Sequence, residues 1–308
     1  MNQASKRTFA CPVHKTAFVD GLFCPSCNRE FPEAHGIPIL INEANSVFLT
    51  SDYLTEHAYG GASSYAGSLD NKTGLRKIYR RVMCYLSESA PEKEFSVNDA
   101  VEKILSSMPG AEILVIGSGD TSIQGNATYT DVAFGAHVHC IADAHDLPFP
   151  DRSFDACIAV AVLEHVASPY RCVDEIMRIL RPGGYVYAET PFMQPVHMGA
   201  YDFTRFTYLG HRRLFRYFEE ICSGISAGPG TSAGQILRYA LASFSDKPSL
   251  KKWLKLAGLV STLPFRWLDK ISCSNESAYD SASGFYFFGT LRQEPISDRQ
   301  LLGYFRGG

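Results

Sequence analysis

Apolar positions along the chain fall into two patterns. Short, nearly continuous apolar runs alternate with stretches where apolar residues recur three and four apart. Ile113–Ile116 is the first clear run and predicts a buried parallel strand. Tyr129–Val132, Val138–Ala142 and Phe154–Val162 predict three more. Ser168-Pro169 then opens a helix, with serine as N-cap and proline in the first turn. Val173, Ile176, Met177 and Leu180 mark its apolar face. Arg181-Pro182-Gly183-Gly184 ends it and turns the chain into a fifth strand, Tyr185–Glu189. Ile221–Ala227 and Gly284–Leu291 predict two further strands, the second carrying the strongly β-forming FYFFGTL. Strand–helix–strand alternation with buried strands implies an α/β sheet wound in right-handed crossovers. Ligands on such sheets sit at the carboxyl ends of the strands, near the switch point.

The flanks carry weaker patterns. Ser63–Asn71 is small and polar, a loop. Leu75, Ile78, Tyr79, Val82 and Leu86 predict a helix face, and Ala100–Met108 a short helix ended by Pro109-Gly110. Ile37–Ile41 predicts a strand after a glycine turn. Between the last two strands lies an insertion, Thr231–Cys273, with seven Lys or Arg against two Asp. Leu250, Trp253, Leu254, Ala257 and Val260 make it amphipathic. A helix covering the core is the ordinary outcome of that pattern. A basic amphipathic stretch with tryptophan is also the composition that lies on a membrane surface. The ending GYFRGG reads as a loose tail.

Composition narrows the class. The 308 residues suggest about two domains, and 45% hydrophobic content suits a globular core. A net charge of −3 gives no global sign of a nucleic-acid binder. MNQASKRTFA lacks the apolar core of a signal peptide, and no run of about 18 apolar residues predicts a spanning helix. Nine cysteines without a secretion signal predict reduced thiols and a cytoplasmic location.

Two of those cysteine pairings carry chemistry. Cys11-Pro-Val-His14 is followed nine residues later by Cys24-Pro-Ser-Cys27. Two tight-turn ligand pairs joined by a reversing loop are what tetrahedral zinc needs, and four protein ligands make the site structural. His35 stands apart as an ordinary surface histidine. Residues 11–43 resemble the zinc ribbon of small methyltransferase activators and of some bacterial methyltransferases. His14 departs from the cysteine usual there. A ribbon domain over residues 1–45 is expected.

The loop Gly117-Ser118-Gly119 lets backbone approach a ligand. A dinucleotide fingerprint wants a third glycine where Ser122 stands and an acid about 20 residues on, but Asp131 comes too soon. Asp131 ends the second strand and Asp143 the third. The strings ADAHDLPFPDRSFDACIAVAVLEHV and EIMRILRPGGYVYAETPF follow. On these, residues 112–192 resemble a class I S-adenosylmethionine-dependent methyltransferase. The resemblance implies a Rossmann-like seven-stranded sheet over residues 111–308, with 46–110 a helical linker or cap. It implies that Gly117, Ser118 and Gly119 pack against the methionine and ribose part of S-adenosylmethionine. Asp131 would accept the ribose hydroxyls, and Asp143 the adenine amino group with Ala144 nearby. Leu163 to His165 would floor the methionine end. Two positions depart from the family: Val115 replaces its usual acid and Thr121 its third glycine. The helix after the loop is expected to shrink to about one turn.

The loop after the fifth strand, TPFMQPVHMGAYDFTRFTYLGHRRLF, is aromatic and carries His197, Tyr201, Asp202, Arg205 and His211. Aromatic walls with a few polar groups suit a small-molecule site. His197 is the candidate base, His165 its competitor, and Tyr201 a group that orients the acceptor. Asp202 and Arg205 are expected to form a structural ion pair, and His211 to begin the next helix. The overall expectation is methyl transfer to a small-molecule, sugar or lipid-linked acceptor, with zinc structural and a peripheral membrane contact through 231–273. The rivals are an RNA methyltransferase using the ribbon, and a non-catalytic scaffold with a decayed cofactor loop.

Overall fold

The computed structural model describes residues 8–55 and 94–308, apart from 120 and 263. The loop at 63–71 and the helix at 75–86 lie outside these residues. Two small hairpins come first: β1 (Phe23–Cys24) with β2 (Arg29–Glu30), and β3 (Glu33–Ala34) with β4 (Ile37–Pro38). Seven strands then share one sheet: β5 (Glu112–Ile116), β6 (Asn126–Asp131), β7 (Cys140–Ile141), β8 (Phe154–Val160), β9 (Leu180–Pro191), β10 (Phe218–Ala227) and β11 (Gly284–Leu291). Their order is β10-β11-β9-β8-β5-β6-β7, with β11 antiparallel to both neighbours. The chain switches direction across the sheet between β5 and β8, which opens the crevice expected of a doubly wound fold.

The continuous apolar runs reflect burial on both faces. Along β5, Ile113 and Val115 face one core, and Leu114 and Ile116 the other. Helix Val97–Ser107 covers the first with Ala100, Val101 and Ile104. Ser96 and Asp99 close a capping box at its start. Helix Pro169–Ile179 covers the second with Cys172, Val173, Ile176 and Ile179. Ser168 sits at its N-cap position, but its side chain does not cap. Its backbone N–H donates instead to His145 Nε2 at 3.0 Å. No helix forms between Gly117 and β6 among the described residues.

The predicted strand at 37–41 is divided. Ile37 and Pro38 pair in the hairpin, while Ile39 bridges Ile141 and Leu40 N–H donates to Ile141 O at 2.8 Å. The hairpin module is therefore docked beside β7. Lys15 fastens it, its Nζ reaching Glu175 at 2.9 Å and Asp146 at 3.3 Å. Asn42 and Asn45 also donate to Asp146.

The insertion folds as three helices, Pro229–Ala242, Pro248–Ser261 and Phe265–Ser272. Buried Asp269 joins the first and last. It accepts from Gly230 N–H at 2.6 Å and Thr231 N–H at 3.0 Å, capping the first helix from outside its own sequence. The expected core-covering face does not form. Trp253 is 68% exposed and Leu250 and Val260 about half, because Gly258 and Leu259 make the buried contact instead.

Candidate active site

Two cavities open at the carboxyl ends of the central strands. The larger, of about 420 Å³, lies over β5, β6 and β8 and is lined by Gly117, Gly119, Asp131, Asp143, Ala144 and His165 among others. Gly117 has φ +60°, and a Cβ there would stand 2.4 Å from Val162 Cγ2. The turn thus requires glycine both for its conformation and for its closeness to the loop after β8. Ser118 and Leu163 do not line the cavity. Ser118 is turned inward and buried, and Leu163 packs in the core with Ile116 and Ala159.

Asp131 accepts from Gly119 N–H at 2.8 Å through Oδ2, and from Ala133 N–H at 2.9 Å through Oδ1. The carboxylate thereby holds the glycine turn in place. Asp143 is 4% exposed and more fully engaged. Its Oδ1 accepts from His145 N–H at 3.0 Å and faces His145 Nδ1 at 2.6 Å. Its Oδ2 accepts from Ser46 Oγ at 2.5 Å. Since His145 Nε2 accepts from Ser168, Nδ1 carries the proton and donates to Asp143. Burial works to raise the Asp143 carboxyl, but the bonds from His145 and Ser46 outweigh it and hold it below its usual range. Asp143 Oδ1 thus meets two donors, while Oδ2 meets one and keeps a lone pair for a ligand. Ser46 also leads into Val47 and Phe48, and Phe48 stacks on Tyr201 with centroids 5.4 Å apart, closing one wall.

The smaller cavity, of about 240 Å³, lies beyond β8 and β9 and is polar: Glu164, Glu189, Gln194, His197, Thr231 and Gln235 line it. Ala161 and His197 belong to both cavities, so His197 stands at their junction. Its loop is braced as expected by the Asp202–Arg205 ion pair, and Asp202 also accepts His197 N–H at 2.7 Å. His165 is beside it, ring centroids 4.7 Å apart. Its Nδ1 lies 2.7 Å from Tyr201 O, and a carbonyl only accepts, so Nδ1 carries the proton. Behind both lies Glu164, fully buried, with neither carboxylate oxygen meeting a hydrogen-bond donor. Glu164 raises His197 above the ordinary histidine range against the effect of burial, and Asp202 adds to it. His211 is not near this site. It lies inside helix Tyr208–Leu214, 2% exposed, where burial and Arg212 push it down to about 3.

Glu189, Ser46 and Phe48 carried no functional assignment from sequence, and Glu164 only a place in the floor of the methionine end. Glu164 sits inside VLEHV, between two residues that were singled out. Ser46 lies 97 residues from Asp143 and Phe48 farther still from Tyr201, so no local signal could find them.

At the front, Cys11, His14, Cys24 and Cys27 converge. Cys11 Sγ is 3.8 Å from both Cys27 Sγ and His14 Nδ1, and Cys24 Sγ is 4.0 Å from His14 Nδ1. Thiolates about 2.3 Å from a tetrahedral zinc stand roughly 3.8 Å apart, so the donor set fits that ion. Burial works to raise Cys24, but the Cys27 N–H and Thr16 outweigh it and bring the thiol to about 6, while burial and its thiol neighbours push Cys27 up to about 11.

The sheet order, the switch-point cavity and the acid-ended strands are those of a doubly wound α/β domain with a ligand crevice at the carboxyl ends of its strands. Residues 122–188 match the family model described as a methyltransferase domain. A demethylmenaquinone methyltransferase of Clavibacter sepedonicus is 31% identical over 125 residues, 39% of this chain and 45% of that protein. An uncharacterized methyltransferase of Mycolicibacterium vanbaalenii is 44% identical over 68 residues, 22% of this chain and 26% of that one. The chain thus spans less than half the length of these relatives. Among solved structures, a Haemonchus contortus phosphoethanolamine N-methyltransferase 2 is 16% identical with a TM-score of 0.38, over 81% of this chain and 61% of that one.

Proposed function

We propose that the protein transfers a methyl group from S-adenosylmethionine to a small polar acceptor held in the smaller cavity. The observation that carries this reading is the junction at His197, where a nucleoside-sized cavity meets a polar one. Gly117 and Gly119 would admit the cofactor close to backbone. Asp131 would accept from its ribose hydroxyls, and Asp143 from its adenine amino group through Oδ2. Ala144 would pack beside the base, and the Phe48–Tyr201 stack would exclude water. Bound S-adenosylmethionine supplies an electrophilic methyl on a positively charged sulfur. The protein's own part is alignment of the acceptor with that methyl and removal of the acceptor's proton. We assign the proton to the group formed by Glu164, His165 and His197.

The relative's name specifies a quinone precursor, but an apolar ring would meet Glu164 and Glu189 here. Carboxylate, amide and hydroxyl walls favour a hydroxylated acceptor such as a sugar, free or lipid-linked. His197→Ala should lower kcat by about 10²-fold or more with cofactor affinity nearly unchanged, as loss of proton handling does. Full turnover on the true acceptor, or a defect confined to cofactor binding, would refute the assignment.

Two further parts belong to this reading. The four front ligands would hold zinc and so fix the ribbon against β7. The insertion would touch an anionic membrane surface, because Phe244, Trp253, Trp267 and Ile271 are each more than two-thirds exposed amid seven basic residues. Among the described residues no helix is long and apolar enough to cross a membrane.

A further inference from the structure

Among the described residues, Glu164 stands out as a fully buried acid. It is 0% exposed, yet Oε1 and Oε2 both lack a hydrogen-bond donor. A buried carboxylate costs several kcal/mol unless positive charge balances it. His165 Nε2 stands 3.6 Å and His197 Nε2 3.8 Å from its Oε1. Both distances exceed hydrogen-bond range. They come close to the roughly 3.4 Å that separates two ligands of one tetrahedral ion bound at about 2.1 Å. The three ligand atoms lie within 4.8 Å of one another.

The tautomer of His165 suits the same use. Its Nδ1 proton is given to Tyr201 O, which leaves Nε2 with its lone pair toward Glu164. A ring fixed by a backbone carbonyl at one nitrogen and free at the other is the usual arrangement of a metal-binding histidine. The backbone of Glu164 is pinned as well, its carbonyl accepting from Phe203 N–H at 2.8 Å and Thr204 N–H at 3.2 Å.

We infer that Glu164, His165 and His197 form a second metal site, for a first-row divalent cation, at the junction of the two cavities. Two imidazoles and a carboxylate suit such ions. The site differs in kind from the ribbon cluster. Four protein ligands close that one, whereas three leave a coordination position open, as sites that engage a substrate do. Glu164 and His197 line the smaller cavity, so the open position faces the acceptor, and oxygen atoms of the acceptor are the ligands it would take. What the ion would do there rests on the methyl-transfer reading; the site itself does not.

The test uses the full chain loaded with zinc at the ribbon, titrated with Co²⁺ and followed by its visible spectrum and by calorimetry. One further equivalent should bind, with ligand-field bands and without the thiolate charge-transfer band that cobalt in the ribbon would give. Glu164→Gln, a neutral isostere, should weaken Co²⁺ binding at least 100-fold, and His165→Asn should do the same. Glu189→Gln, which changes the other buried carboxylate of the cavity, should leave it unchanged. Circular dichroism reports whether each variant is folded. Absence of a second equivalent in wild-type protein would overturn the inference, as would Co²⁺ binding equally tight in folded Glu164→Gln. Neither result bears on methyl transfer, which turnover of the wild-type protein on the true acceptor decides, since His197→Ala would remove a ligand as well as a base.

Discussion

Gly117→Ala probes how the cofactor loop is built. The added Cβ would lie 2.4 Å from Val162 Cγ2 and 3.5 Å from Val162 Cβ and Cγ1. Only the first is an impossible contact; the other two are ordinary. Alanine at φ +60° also costs about 1–2 kcal/mol for its left-handed backbone. The overlap adds about 1–3 kcal/mol, as overpacking does. Together the variant should lose roughly 2–5 kcal/mol, a large part of the 5–15 kcal/mol typical of a domain. Val162→Ala removes Cγ2 and should itself cost on the order of 1 kcal/mol, since Val162 is only partly buried. The double variant should therefore recover the overlap and retain the backbone cost. Urea unfolding of the four proteins at one pH measures this as a double-mutant cycle, with an expected coupling of about 1–3 kcal/mol. Additive losses, with coupling below about 0.5 kcal/mol, would refute the steric account. S-adenosylhomocysteine affinity in the double variant then reports on the cavity alone. If stability returns and affinity does not, Gly117 serves the ligand as well as Val162.

Two other outcomes follow from groups outside the loop. His211 is buried neutral, and its folded pKa of about 3 lies below the ordinary 6.5, so the unfolded chain takes up the proton first. Stability from this group is complete above pH 6.5 and is lost as pH falls; about 2 kcal/mol should go between pH 7 and pH 5, and His211→Leu should abolish that increment in urea unfolding at the two pH values. An equal acid slope in wild type and variant would count against it. The insertion should carry the protein down with anionic vesicles at low salt, and the pair Trp253→Glu and Trp267→Glu should release it; equal pelleting with neutral vesicles, or none, contradicts the membrane contact.

The sheet was legible because β5, β8 and β9 are buried on both faces and so print continuous apolar runs. Gly284–Leu291 was read to its ends for the same reason. β7 was overread: only Cys140 and Ile141 pair with β6, since Val138 packs with Phe134 and Ile39 below the sheet edge. The insertion was legible as helix but not as to its buried face. An apolar stripe states that a partner is wanted, not where it is, and small Gly258 proved the closer contact. At the site, Asp131, Asp143 and His197, singled out by type and place after a strand, line the larger cavity. Ser118 and Leu163 do not line the larger cavity, because side chains alternate in direction over a turn and a motif does not say which ones face it. Ser46, Phe48 and Glu189 are brought in by contacts distant in sequence, which no local pattern encodes.

The docking of the ribbon against Ile141 bears on solubility. A terminal strand offers unpaired N–H and C=O groups to any other extended chain, and proteins protect such edges by shortening or covering them. Here both devices coincide: β7 has two residues, and its outer row is taken by Ile39 and Leu40. The cover belongs to the hairpin module in which three thiols and an imidazole converge. If the four front ligands hold a metal, as proposed, its removal should uncover the far edge of the seven-stranded sheet. Light scattering of chelator-treated protein should rise in step with loss of the ribbon metal, long before the seven-stranded core unfolds.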